Sequence, residues 1–173
     1  ISCIFVLSVC IYLVLRRKAK GKEILLEKTE EQLIDKQEQL IDSLLNRIKS
    51  QRELVFNSQY RQATIIQKEQ IERDMYIKVL NLDNWHLFEE LINKVFNQLF
   101  IFLDSICSDI TKKEKIWCCL FLLNTPTPSI LIVLEIQVTS LYKLKQRLTQ
   151  KLNLKSTKEL ELLIKEKSRI QHF

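Results

Sequence analysis

Between Thr139 and Leu152 the chain carries Lys143, Lys145, Arg147 and Lys151, interleaved with Thr139, Ser140, Tyr142, Gln146 and Gln150. Leu141, Leu144, Leu148 and Leu152 stand among them at three- and four-residue steps, which places the leucines on one side of a helix. The cations, hydroxyls and amides then fall mostly off that stripe. Cations and hydrogen-bonding side chains on one outward helix face suit a nucleic-acid duplex, whose phosphates attract Lys and Arg and whose base edges accept and donate hydrogen bonds. Lys143, Arg147 and Lys151 are the candidates for backbone contact. Thr139, Ser140, Tyr142, Lys145 and Gln146, nearer the start of the helix, are the candidates for reaching base edges. Lys and Arg on an amphipathic helix are also routine solubilising groups, so this face needs a second signal.

Other chemistry has little to work with. His86 and His172 are the only histidines, and Gly21 is the only glycine, so no Gly-rich phosphate loop exists. Cys118 and Cys119 are adjacent, so on a helix they point in different directions and lack metal-ligand spacing. Cys3 and Cys10 belong to an apolar run and Cys107 stands alone, so reduced thiols acting as small hydrophobes are expected. No catalytic residue, cofactor or metal is expected, and the chain is not read as an enzyme.

The basic helix needs elements that hold it, and they can be read on its N-terminal side. Thr111 followed by Glu114 fits a capping box, so a helix should start at Lys112, with Ile116, Trp117, Cys119, Leu120 and Leu123 inward. Pro126 and Pro128 lack amide donors and disfavour helix in the residue before each, so that helix should stop by about Asn124. Thr127 is then a candidate N-cap for a short apolar helix from Ser129 to about Glu135. Thr139 or Ser140 should open the basic helix, which should run to about Leu152. Ser156 or Thr157 should cap a last helix bearing Leu160, Leu163 and Ile164. This is the layout of a helix-turn-helix.

The stretch ITKKEKIWCCLFLLNTPTPSILIVLEIQVTSLYKLKQRLTQKLNLKSTKEL resembles the LuxR-type helix-turn-helix, in the divergent form that closes many bacterial membrane-anchored regulators with tetratricopeptide repeats. Ile110, Thr111 and Glu114 match the opening of that pattern, Cys118 or Cys119 its cysteine, and the segment from Val138 to Leu152 its recognition helix. The preceding NWHLFEELINKVFNQLFIFL resembles the aromatic-rich segment found before the motif. The resemblance implies double-stranded DNA as partner, and a last helix that supports the recognition helix and mediates dimer contact. It departs at Leu131 and Ile132, where the family carries a small residue.

One Gly, two Pro, 46% hydrophobic and 28% charged residues give a helical composition. The 15 residues from Ile1 to Leu15 are uncharged and are followed by Arg16, Arg17, Lys18, Lys20 and Lys22. They cover roughly 22 Å against a hydrocarbon core of ~30 Å. We therefore expect a transmembrane segment over 1–15 truncated at its start, with the basic flank holding the rest of the chain in the cytoplasm. No Met begins the chain, so a tetratricopeptide-repeat or other sensor module is expected to precede it. From 16 to 82, Leu26, Leu33 and Leu40 are heptad-spaced, as are Ile34, Ile41, Ile48 and Val55, which predicts a cytoplasmic coiled coil that pairs two copies. From Asp83 onward, Asn84 should cap an aromatic-rich helix whose Trp85, Phe88, Ile92, Phe96, Phe100 and Leu103 pack against the helix-turn-helix. Charge shows the same division: 16–82 carries 14 basic and 11 acidic residues, 83–107 carries 1 and 4, and 108–173 carries 12 and 6. Positive charge thus concentrates in the C-terminal region, where DNA binding is expected, and around the basic flank of the apolar run.

The sequence therefore predicts an all-α protein with a transmembrane helix, a long coiled-coil helix and a compact helical bundle over 83–173. The expected function is a single-pass regulator of the bacterial inner membrane, its C-terminal part cytoplasmic, that homodimerises and relays a signal through the coiled coil to DNA. The alternative is a membrane-tethered scaffold whose helix-turn-helix serves protein interaction, which Leu131 and Ile132 favour.

Overall fold

A computed structural model of the chain describes the backbone of residues 2–58 and 63–169, and side chains at 22, 26, 28 and 29 and throughout 31–55 and 63–169. Among the described residues every regular element is a helix: α1 (Ser2–Ser58), α2 (Ile65–Leu80), α3 (Trp85–Val95), α4 (Leu99–Ile106), α5 (Lys112–Leu122), α6 (Thr127–Leu134), α7 (Val138–Lys151) and α8 (Thr157–Lys167). The all-α class is as expected.

The membrane span is not. Among the described residues no helix is long and apolar enough to cross a membrane. The physical reason lies in α1 itself: its uncharged run ends at Leu15, where Arg16, Arg17 and Lys18 continue the same helix, so it falls short of the roughly 20 apolar residues a bilayer requires. The single-pass topology and the inner-membrane location fall with it. Ile1 and the side chains of the remaining residues up to Gly21 lie outside the described residues.

The chain divides into two compact units, one holding Ile1–Lys36 and the other Gln37–Arg169. The second starts well before Asp83 and takes in the later part of α1 and all of α2. Its core is one contiguous cluster. Leu44 of α1 belongs to it, with Leu40, Ile41 and Ile48 packed against it. The row predicted to form a coiled-coil seam is thus turned, in this unit, toward the chain's own bundle. Gln37 completes the attachment, its Nε2 donating to Val95 O at 3.1 Å and to Ser168 O at 2.7 Å. In the other unit, taken by itself, Leu26 and Leu33 are 59% and 51% exposed.

Capping fixes the helix starts. Thr111 Oγ1 accepts from Glu114 N while Glu114 Oε2 accepts from Thr111 N, the reciprocal pair predicted. Asn84 Oδ1 accepts from Leu87 N and Ser156 Oγ from Glu159 N, so both expected caps form. The aromatic-rich segment, expected as one helix, is two. Asn97 and Gln98 take left-handed backbone conformations between α3 and α4, and Asn93 Oδ1 accepts from Phe100 N and Ile101 N, standing in for the helical carbonyls that the break removes. The aromatic residues still pack inward: Phe88 and Phe100 are fully buried, and Trp85 lies against both with ring centroids at 5.3 and 6.5 Å.

Candidate nucleic-acid interface

Helix α5 packs on both α6 and α7, with α8 packed on α5 and α7 and α2 packed on α6. Pro128 sits in the first turn of α6, where its missing donor costs nothing, and the helix begins at Thr127. Glu135 closes α6 in the left-handed conformation, φ 50° and ψ 53°, that a glycine usually takes at this place. Two neighbours hold the turn. Arg73 of α2 pairs with Glu135 at 3.0 Å, and Lys113 Nζ of α5 donates to Leu134 O at 2.9 Å. Helix α7 then starts at Val138 with Gln137 as N-cap, two residues before Thr139, the earlier of the two expected caps. Leu131 and Ile132, at the place of the expected small residue, are half-buried and line a cleft shared with Ile66 and Arg73 of α2, so their bulk is used against α2.

The leucine stripe is as predicted: Leu141, Leu144, Leu148 and Leu152 are all buried. Beneath it Trp117 is fully buried, stacked on Phe121 with ring centroids 5.5 Å apart. The opposite side of α7 is open. Thr139, Ser140, Tyr142, Lys143, Gln146 and Arg147 are exposed, Tyr142 by 65%. Ser140, Lys143, Gln146, Arg147 and Gln150 line a shallow concavity of about 400 Å³. Gln150 joins the expected residues here, because its spacing from Lys143, Gln146 and Arg147 puts it on the same arc.

Two expected contact residues are turned elsewhere. Lys145 Nζ lies 2.8 Å from Glu161 Oε1 of α8 and 5.2 Å from the Trp117 ring centroid. Lys151 Nζ lies 2.8 Å from Glu114 Oε2 of α5 and donates to Asp109 O at 2.6 Å. Burial works against the charge of Glu114, which is 1% exposed, but Lys151 and the Thr111 amide and hydroxyl outweigh it and hold the carboxyl below its usual range. These two cations anchor α7 to its neighbours, while Lys143 and Arg147 remain on the open face.

A buried cation also serves the same bundle. Lys115 Nζ pairs with Glu89 at 2.9 Å and Asp104 at 2.7 Å. Burial disfavours its charge, yet Asp104 and Glu89 raise its pKa above the ordinary lysine value. Cys118 and Cys119 are free and buried, and burial pushes both thiols far above the usual thiol range, which keeps them protonated. Among the described residues no cluster of His, Cys, Asp and Glu could hold a metal ion.

An all-α bundle with one open helix face bearing Lys143 and Arg147 is the class that fold and surface define. No protein-family model matches the chain, and no curated protein and no solved structure is significantly similar to it.

Proposed function

We propose that Gln37–Arg169 is a duplex-DNA-binding unit of a bacterial transcription regulator, related to the LuxR-type helix-turn-helix, with α7 as the element that enters the major groove. The observation that carries this reading is the sorting of cations on α7. Those facing α5 and α8 are neutralised by Glu114 and Glu161, whereas Lys143 and Arg147 share an open face with Ser140, Gln146 and Gln150. Lys143 and Arg147 supply phosphate contacts. Gln146, with its paired donor and acceptor, matches the N6 and N7 edge of adenine, and the exposed hydroxyls of Thr139 and Ser140 approach the bases near the helix start. A regulator of this kind acts as a pair of units on two half-sites, with α1 as the element that brings two copies together.

Selection of the chain against a random duplex library at near-physiological salt tests the reading. One enriched motif is expected, and it disappears in a chain carrying Lys143→Ala and Arg147→Ala. Equal, weak enrichment by both chains would mean that the basic face is solvated surface. The scaffold reading would then take over, supported by the cleft of about 420 Å³ between α2 and α6, where Ile66 is 79% exposed beside Leu131, Ile132 and Ile136.

A further inference from the structure

Along the part of α1 that lies in Gln37–Arg169, Gln37, Ile41, Leu44, Ile48 and Val55 are shielded while most residues between them are exposed. Steps of three and four make this a heptad stripe. In sequence Ile34, Ile41, Ile48 and Val55 occupy one core position of the heptad, and Gln37, Leu44 and Gln51 the other. Branched residues at the first position with Leu at the second favour a parallel two-stranded coiled coil. Within Gln37–Arg169 that stripe is already engaged: Leu44 lies in the core, Ile41 and Ile48 pack against it, and Gln37 binds the carbonyls of Val95 and Ser168.

We infer that this stripe has two mutually exclusive partners, the chain's own bundle and the α1 of a second copy in a parallel coiled coil. Gln37 sets the balance. Val95 ends α3 and Ser168 caps the C-terminal end of α8, so one carboxamide satisfies two carbonyls at the negative ends of two helices. In the paired state two Gln37 side chains meet in one core layer, where each amide both donates and accepts. The polar group is satisfied in either arrangement, so neither is blocked by an orphaned donor. Pairing two copies therefore releases α1 from α3 and α8, and oligomerisation becomes the regulation of the proposed DNA-binding unit.

This inference rests on the functional reading only for its purpose, and its test uses no DNA. Full-length chains of light and heavy isotopic composition are mixed, sedimented over a wide concentration range and treated with an amine cross-linker. Reversible dimers are expected, with mixed-isotope links joining Lys36 to Lys36 and Lys49 to Lys49. Gln37→Leu places an apolar residue in the coil layer and leaves the Val95 and Ser168 carbonyls without their donor. It should raise the dimer association constant by about tenfold or more, with Gln37→Ala moving it the same way by less. Should either variant fail to fold, the cross-links of the unaltered chain still decide. A chain that stays monomeric at every concentration, or a dimer without mixed α1 links, overturns the inference. Dimers that pair through α1 yet enrich no DNA motif would remove the functional reading and leave this one standing.

Discussion

Lys151→Ala lowers the stability of the Gln37–Arg169 unit by about 3 kcal/mol at neutral pH and leaves the salt dependence of the proposed DNA binding unchanged. Removing one partner of a buried ion pair typically costs about 3–5 kcal/mol because the other charge is left uncompensated, and the partial exposure of Lys151 places the loss at the lower end. The charge left behind is Glu114, which keeps only the Thr111 amide and hydroxyl as donors. Linkage to pH identifies this cause. In the unaltered chain the Glu114 carboxyl is depressed, so its contribution is fully present above the unfolded value of about 4.3 and is lost as pH falls through the lower folded value. In the variant, burial is no longer outweighed and the carboxyl moves upward. The stability gap between the two chains should therefore be widest near neutrality, shrink as pH falls through the variant's raised value, and close only below the depressed folded value of the unaltered chain, where Glu114 is protonated in both. Denaturant unfolding at a series of pH values reads this directly. A gap independent of pH would mean that the loss arises from packing of the lysine stem.

Trp117→Ala should be as severe. The side chain is 1% exposed, lies beneath the leucine stripe of α7 and stacks on Phe121. Truncating a buried aromatic residue to alanine costs about 3–5 kcal/mol in transfer and cavity terms. Against the roughly 5–15 kcal/mol typical of a domain, that brings the unit close to unfolding. A fall in thermal midpoint of roughly 10–20 °C is expected. Because Lys145 lies over this ring, the hydrogen-exchange protection of α7 should fall further than that of α3. Uniform loss across all helices would indicate that Trp117 contributes to the core without specifically seating α7.

The parts legible in the sequence are those governed by local chemistry. The Thr111 and Glu114 box, the caps at Asn84 and Ser156 and the four-leucine stripe all depend on residues within a turn or two of each other. The features that sequence conceals depend on distant partners. Lys145 and Lys151 resemble Lys143 and Arg147 in sequence, and only Glu161 and Glu114, brought in from α8 and α5, tell them apart. The heptad rows of α1 mark a buried stripe, but periodicity does not say whether the covering surface belongs to the same chain or to another. A scarcity of glycine also conceals the turns. Asn81, Asn97, Asn124 and Asn153 take the left-handed positions that glycine usually marks, because a short amide side chain tolerates that region better than other side chains do. The membrane expectation is not met, because among the described residues no helix is long and apolar enough to cross a bilayer.

On the proposed reading, α7 meets DNA through Lys143 and Arg147 and not through the cations that its neighbours neutralise. The most direct measurement is duplex affinity across a range of salt concentrations for the unaltered chain, for Lys143→Ala with Arg147→Ala, and for Lys145→Ala. Each lost phosphate contact lowers the slope of log affinity against log salt by about 0.9. The double variant should lose roughly 1.8 from the slope, while Lys145→Ala keeps it and loses stability instead. An unchanged slope in the double variant, or an equal loss in Lys145→Ala, would contradict the account.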